Sequence, residues 1–271
     1  MTIPLEDNFA DIIGKAQRGL RLADDELARR AALLPAQVAA VRSGQFSEPA
    51  VRALAAALGL GAEALAALGR KSWQPHDPGP IDGLASFNTP FQDMTVNSYL
   101  AFDPQSRAAA AFDTGADCDG MLEFCGKRGL TIGLILLTHI HTDHIFELDR
   151  LRMITGATAF VSDREPIAGA EPFADGREFR VGNLLVQTRR TSGHSRGGVT
   201  FVVTGLTRRL AVVGDALFAG SMGGGMVDYA EALRTNRANI FSLPDDTVVC
   251  PGHGPLTTVG EEKQHNPFFA G

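Results

Sequence analysis

The sequence predicts an α+β protein in two parts: a small all-α unit, then two sheets packed face to face with helices outside. Three observations predict it. Residues 8–69 contain no β-like run. Pro and Gly then break every pattern in Lys71-Ser72-Trp73-Gln74-Pro75-His76-Asp77-Pro78-Gly79-Pro80. From Val96 onward, short apolar runs alternate with segments of helical period. The expected division is a helical unit over 1–72, a linker over 73–83 and a second unit over 84–271.

In chain order, Asp11–Leu20 reads as the first helix and Asp24–Leu33 as the second, where Asp24-Asp25-Glu26 suits the positive N-terminal pole. Pro35 in a first turn opens the third, which runs to Arg42 and stops at Gly44. Pro49 opens the fourth, to Leu58, and Ala62–Leu68 is the fifth. Beyond the linker, Val96–Phe102 and Ala108–Phe112 flank a turn at Asp103-Pro104 and read as a hairpin. Ala116–Arg128 is helical, Ile132–Leu137 a buried strand, Ile145–Ile154 helical and Thr158–Val161 a strand. Leu184–Gln187, Val199–Val203 and Leu210–Val213 are strands, Asp228–Phe241 is helical, and Thr247–Val249 is the last strand.

Just past the Ile132–Leu137 strand stands Thr138-His139-Ile140-His141-Thr142-Asp143-His144. Imidazole nitrogen and carboxylate oxygen suit zinc and neighbouring transition metals. One metal cannot easily use four such ligands and keep a position open for chemistry, so the spacing suggests two metals side by side. His194 and His253 lie in Gly-flanked turns after β-like runs, and Asp215 closes the run Val212-Val213-Gly214. Taken singly, a His or Asp at a strand end is more often hydrogen-bonded than ligating. Burying the 138–144 cluster without a metal, however, would leave donors and acceptors unpaired at about 1–3 kcal/mol each. The other two of the seven histidines, His76 and His265, read as surface residues.

The pattern HxHxDH, then a Gly-flanked His, an Asp after an apolar strand and a late His, resembles the metallo-β-lactamase superfamily over about residues 84–269. Val96-Asn97-Ser98-Tyr99-Leu100, Phe112-Asp113-Thr114-Gly115, Leu217-Phe218-Ala219-Gly220-Ser221, Pro251-Gly252-His253-Gly254-Pro255 and the tail from Thr258 to Lys263 with Asn266-Pro267-Phe268 look most like glyoxalase II and its short relatives. The resemblance implies an αββα sandwich with two divalent metals at one edge, zinc first, with iron or manganese also suited. It assigns His139, His141 and His194 to one metal, Asp143, His144 and His253 to the other, and Asp215 as the bridge. It further implies a hydroxide bridging the pair, with Asp143 orienting it or taking its proton, and a small-molecule acyl substrate of ester type, a thioester foremost.

Two departures separate the chain from glutathione-binding relatives. Met222-Gly223-Gly224-Gly225-Met226 lacks the Arg and Asp they carry there, and Gly197-Gly198 stands where they often have another His. A persulfide dioxygenase using one iron on His139, His194 and Asp215 and a lactonase are the alternatives within catalysis. A DNA-binding regulator with a metal-containing sensor is the alternative outside it. That last reading comes from the helical unit, where Glu26-Leu27-Ala28-Arg29-Arg30, the turn at Leu33–Pro35, Val38, Val41, Ser43-Gly44 and Pro49 resemble a Cro/C1-type (lambda-repressor-like) helix-turn-helix domain. Its third helix offers only Gln37 and Arg42 to a base or phosphate, so a bundle used for homodimer contact or for covering one side of the second unit is preferred over DNA. On this reading removal of residues 1–72 leaves an active but less soluble or differently associated enzyme.

Charge supports the same preference. The net charge of −6 divides into about +1 for residues 1–72 and −7 for the rest, with no basic stripe of the kind a nuclease needs. No apolar stretch approaches 18 residues, so no membrane span is expected, and the N-terminus has no secretory pattern. Cys118, Cys125 and Cys250 form no paired framework, which fits a cytoplasmic protein.

Overall fold

The structure is a computed structural model that describes residues 3–270. Five helices come first: α1 Phe9–Gly19, α2 Asp24–Arg30, α3 Pro35–Arg42, α4 Glu48–Leu58 and α5 Ala62–Gly69. Asn8 caps α1 by accepting from the backbone N–H of Ala10 and Asp11 while Asp11 reaches back to Asn8, a reciprocal capping box. Gly59, at φ +69°, ends α4 in the left-handed conformation that glycine adopts without strain.

The remaining chain forms two six-stranded sheets. The first holds β1 Leu84–Phe91, β2 Met94–Phe102, β3 Ala108–Phe112, β4 Thr131–Leu136, β5 Thr158–Ser162 and β6 Glu171–Phe173, in sequence order. Helices α6 Asp119–Arg128, α7 Thr142–Ile145 and α8 Leu148–Thr155 interrupt it. The second sheet holds β7 Glu178–Val181, β8 Leu184–Arg190, β9 Val199–Thr204, β10 Leu210–Gly214, β11 Val248–Pro251 and β12 Thr257–Thr258. Helix α9 is Tyr229–Asn239 and α10 is Val259–His265.

Period-two alternation sorts the apolar residues into layers. Tyr99, Ala101, Phe112 and Leu136 of the first sheet face Val186, Phe201, Val212 and Cys250 of the second, forming the core between sheets. Leu100, Phe102 and Ile135 point the other way, onto Met121 and Cys125 of α6 and Leu151 of α8. Val202, Ala211 and Val249 cover the outer face of the second sheet with Ile240, Leu243 and Val259. Two sheets between two helical layers is the architecture expected, and Cys250 is buried in the core between them.

Four strands escaped sequence reading for a common reason. β1, β6, β7 and β12 lie at sheet edges, where half-exposed residues dilute the apolar pattern. Pro90 and Pro172 fall in β1 and β6, as edge positions allow because a lost N–H is not missed there. The single helix expected over Ile145–Ile154 is two, α7 and α8, and the tail forms α10.

The helical bundle does not have a core of its own alone. Ile12, Ile13, Leu27, Leu54 and Leu65 pack in one cluster with Met222, Tyr229 and Phe268 from the far end of the chain. Gly61 N–H donates to Pro267 O at 2.7 Å, and the linker is tied down where Trp73 stacks on His265 with ring centroids 5.2 Å apart. His76 is exposed as expected, but His265 is half-buried by that stack. No helix among the described residues is long and apolar enough to cross a membrane.

Candidate metal centre

Strands β4, β8, β10 and β11 all release their chains at one edge of the sandwich, since β10 runs parallel to β11 and β9 reverses direction twice between β8 and β10. Each is followed at once by predicted ligands: His139 to His144 after β4, His194 after β8, Asp215 after β10 and His253 after β11. Ladder hydrogen bonds fix where each loop starts, so the side chains converge. His141 takes the N-cap position of the one-turn helix α7, and that turn carries Asp143 and His144 away from His139 and His141. Two groups result: His139, His141, His194 and Asp215, and Asp143, His144 and His253.

In the first group, His141 Nδ1 lies 3.1 Å from His139 Nε2 and 3.0 Å from His194 Nε2. Asp215 Oδ2 stands 3.3 Å from His194 Nε2. In the second, Asp143 Oδ2 is 3.4 Å from His144 Nε2 and 3.3 Å from His253 Nε2. Asp215 turns its other oxygen here, Oδ1 lying 3.2 Å from His144 Nε2 and 3.5 Å from His253 Nε2. One carboxylate thus serves both groups, as a bridging ligand would.

Chemistry of the donors tests whether metals fit. Outside the centre, each ring has its second nitrogen occupied in four cases. His194 Nδ1 meets Gly223 O at 2.8 Å, His253 Nδ1 meets Thr95 O at 2.7 Å, His144 Nδ1 meets Asp113 Oδ2 at 2.8 Å and His139 Nδ1 meets Thr138 Oγ1 at 3.0 Å. A neutral imidazole that donates from Nδ1 presents a bare lone pair at Nε2. Lone pairs facing one another need a cation between them. Buried His144 Nε2 and Asp215 Oδ1 have no hydrogen-bond partner despite their proximity. The residues therefore fit a pair of divalent ions.

The electrostatics differ between the two groups. Burial holds the His139 and His141 imidazoles below their usual range and so neutral. At His144 and His253 burial works against charge, yet the surrounding carboxylates win. Asp215 and Asp113 raise His144 to about 10, and Asp143 and Asp215 raise His253 to about 11. Burial likewise opposes the ionised form of Asp215, but the His144 and His253 partners hold it far below the ordinary carboxylate value. The carboxylates thus favour positive charge in the second group, which a bound cation would supply in place of protons.

Several contributors were not singled out from sequence. Asp113 follows β3 as Asp215 follows β10, and that shared grammar was the available signal. Its Oδ2 accepts from His144 and from Thr138 Oγ1 at 2.8 Å, and its Oδ1 from Thr138 N–H at 2.7 Å. Asp113→Ala is expected to weaken metal retention and turnover about 10–100-fold, the usual effect of removing a ligand's hydrogen-bond partner. Chelator competition measures it, and retention equal to the parent's would contradict it. Gly252 and Gly223 are required by close approach. A Cβ at Gly252 would sit 2.2 Å from Asp215 Oδ1, and one at Gly223 2.6 Å from His194 Nδ1.

The loop between Asp215 and Gly223 is held from behind by α10. Fully buried Glu262 accepts from Gly220 N–H at 2.9 Å, Asn266 Nδ2 at 2.8 Å and Thr257 Oγ1 at 2.8 Å. Burial outweighs those donors and pushes the carboxyl up from 4.5 to about 7. The folded state then holds a proton that the unfolded chain releases near 4.5. Stability from this group is full below 4.5 and is lost as pH rises through 7, by up to about 3 kcal/mol. Glu262→Gln should remove that slope, so its melting temperature gains on the parent's between pH 5 and 8. Parallel pH profiles would refute the assignment.

A cleft of about 610 Å³ opens over both groups. Phe91, Met94, Phe218 and Met226 give it apolar walls, and Glu6, Asp7 and Lys15 come from the N-terminal segment. Asp143 and Asp215 both border it, with side chains 14% and 9% exposed.

The fold and the gathered His and Asp side chains mark a candidate metal centre, and comparison with known proteins gives the family. Residues 92–253 match the metallo-beta-lactamase superfamily, and the chain belongs to it. It is 32% identical over 209 residues to the Bacillus subtilis (strain 168) protein called "Probable metallo-hydrolase YqgX", covering 67% of this chain and 96% of that one. The crystal structure of ETHE1 from Myxococcus xanthus is similar at 28% identity and TM-score 0.61, covering 69% of this chain and 84% of that one. The crystal structure of TTHA1623 in a di-iron-bound form is similar at 26% identity and TM-score 0.55, covering 67% and 99%. Helices α1 to α5 precede the matched segment.

Proposed function

We propose that the protein is a metal-dependent hydrolase that cleaves an ester-like acyl compound, a thioester foremost. The observation that carries this reading is Asp215, whose two oxygens are divided between two complete ligand groups under one cleft. A pair of divalent ions held there would supply a nucleophilic hydroxide near neutral pH and would polarise the substrate carbonyl. Asp143 borders the cleft and is ionised: burial would raise its carboxyl, but the hydrogen bond from His253 and the charge of His144 hold it below the usual range. Its role would be to orient the attacking water and to accept its proton.

One side of the cleft is apolar. Met94 and Met226 are exposed at its mouth, and exposed Phe146 packs edge-on against Phe91 with centroids 5.6 Å apart. Exposed large apolar side chains gathered at one opening suit a hydrophobic acyl or thiol portion. Glu6 and Asp7 face the same cleft against one ammonium, Lys15, an arrangement that does not favour the two carboxylates of a glutathione conjugate.

A persulfide dioxygenase would need only His139, His194 and Asp215. The second group, with His253 oriented by Thr95 O, supports the hydrolase instead. A DNA-binding role finds less support still. Gln37 Oε1 accepts from Leu34 N–H at 2.9 Å, capping its own helix, and Arg42 is paired with Gln17 and Asp24. Both candidate readers on α3 are thus engaged within the bundle. Metal quantification on fresh protein, followed by a panel of thioesters, lactones, phosphoesters and persulfides, tests the reading. Two ions per chain with thioester turnover is expected; a single iron with oxygen consumption on a persulfide would overturn it.

A further inference from the structure

We propose that Lys15 and Asp7, both from the N-terminal helical unit, are positioning residues for the metal centre, an inference that rests on the metal reading above. Lys15 projects from α1 to the loop between Asp215 and Gly223, which starts at the bridging ligand and ends at the carbonyl that orients His194. Its Nζ donates to Met222 O at 2.9 Å and pairs with Asp7. Asp7 Oδ2 in turn accepts from Ser221 Oγ at 2.6 Å. Two consecutive residues of the loop, Ser221 and Met222, are therefore gripped by one ion pair.

The next residue in the loop is Gly223. Its carbonyl accepts from His194 Nδ1, and its N–H donates to Asp215 O at 2.9 Å. A shift at Met222 is passed directly to a ligand of the first group and to the bridge. Toward the second group, Lys15 Nζ lies 5.1 Å from the Phe218 ring centroid, and that ring meets His253 edge-on at 5.5 Å. The Met222 side chain is buried in the bundle core, which fixes the loop from the same side.

The pair is nearly buried, with side chains 16% and 9% exposed, so solvent does not compete strongly for either partner. From the other side Glu262 and Asn266 hold the loop at Gly220 N–H and Ser221 O, not at Met222. A bond from the helical unit thus completes the support of both metal groups, which makes α1 part of the site rather than a neighbour of it.

The experiment loads the full-length protein with Zn²⁺ and follows release to a chromogenic chelator, alongside kcat and KM on the best ester of the panel. Lys15→Met and Asp7→Asn are compared with Lys127→Met, an exposed control on α6. Release should quicken about 10-fold or more in both site variants, and kcat should fall about 10-fold while KM stays within about 2-fold. Lys15→Arg should recover much of the loss. The double variant should be no worse than either single one, because the two side chains act as a unit. Parent-like release from both variants overturns the inference, as does a kcat loss that disappears when activity is expressed per folded chain. Where Lys15→Met does not fold, Ser221→Ala decides, by a several-fold faster release or by none. A parent that takes up no metal overturns the metal reading as well; a parent that holds metal, with variants that hold it as firmly, overturns this inference alone.

Discussion

Asp215→Ala is expected to abolish turnover, by about 1000-fold or more, and to lower bound metal from two ions per chain to one or none. A loss of that size is about 4 kcal/mol of transition-state stabilisation. Asp215 is buried and gives one oxygen to each ligand group. Alanine would remove both contacts and leave three facing imidazoles in the first group with no carboxylate to balance a cation. Asp143→Ala, by contrast, withdraws a ligand from the second group only and should leave the first occupied. Elemental analysis together with turnover separates the two variants. An Asp215→Ala protein that keeps two ions and normal activity would dismiss the bridge.

Removal of residues 1–72 is expected to leave an insoluble or unfolded remainder. The sequence suggested a milder outcome, an active but less soluble or differently associated remainder beyond a Pro-rich linker. Deletion would expose Met222, Tyr229 and Phe268, buried at 1%, 8% and 3% exposure. At about 1.5–3 kcal/mol for each large apolar side chain, that is about 4–9 kcal/mol, comparable with the whole stability of a typical domain. Gly19, packed against the Tyr229 ring, and Gly61, against the Ala270 carbonyl, show how close the two parts approach. Expression of residues 73–271 followed by thermal melting measures the effect. A soluble fragment with a cooperative, parent-like transition and full metal content would refute it.

Much of the metal centre was legible before any coordinates. His139, His141, Asp143 and His144 sit in one heptapeptide, and short-range spacing is written directly in a sequence. His194, Asp215 and His253 were recognisable because each ends a β-like run, and the structure gathers all three with the heptapeptide. Which residue joins which group followed from resemblance; the structure draws the same side chains into two sets. The helices of the bundle were legible to within a few residues because Pro, Gly and acidic first turns mark their ends.

Other features depended on distance in space. Asp113 acts on His144 across 31 positions and Lys15 on Met222 across 207, and no local pattern records such a pairing. Edge strands were missed because a strand with one solvated side has little apolar signal of its own. By itself the sequence determined the ligand chemistry, the strand ends that carry it and the helical opening of the chain, since each depends on residues that are near neighbours. Only the tertiary structure decided that Asp215 divides its oxygens between two groups, that Gly252 must lack a side chain to let it do so, and that α1 helps to hold the loop. Those are matters of packing, fixed by which surfaces meet once the apolar faces are buried together.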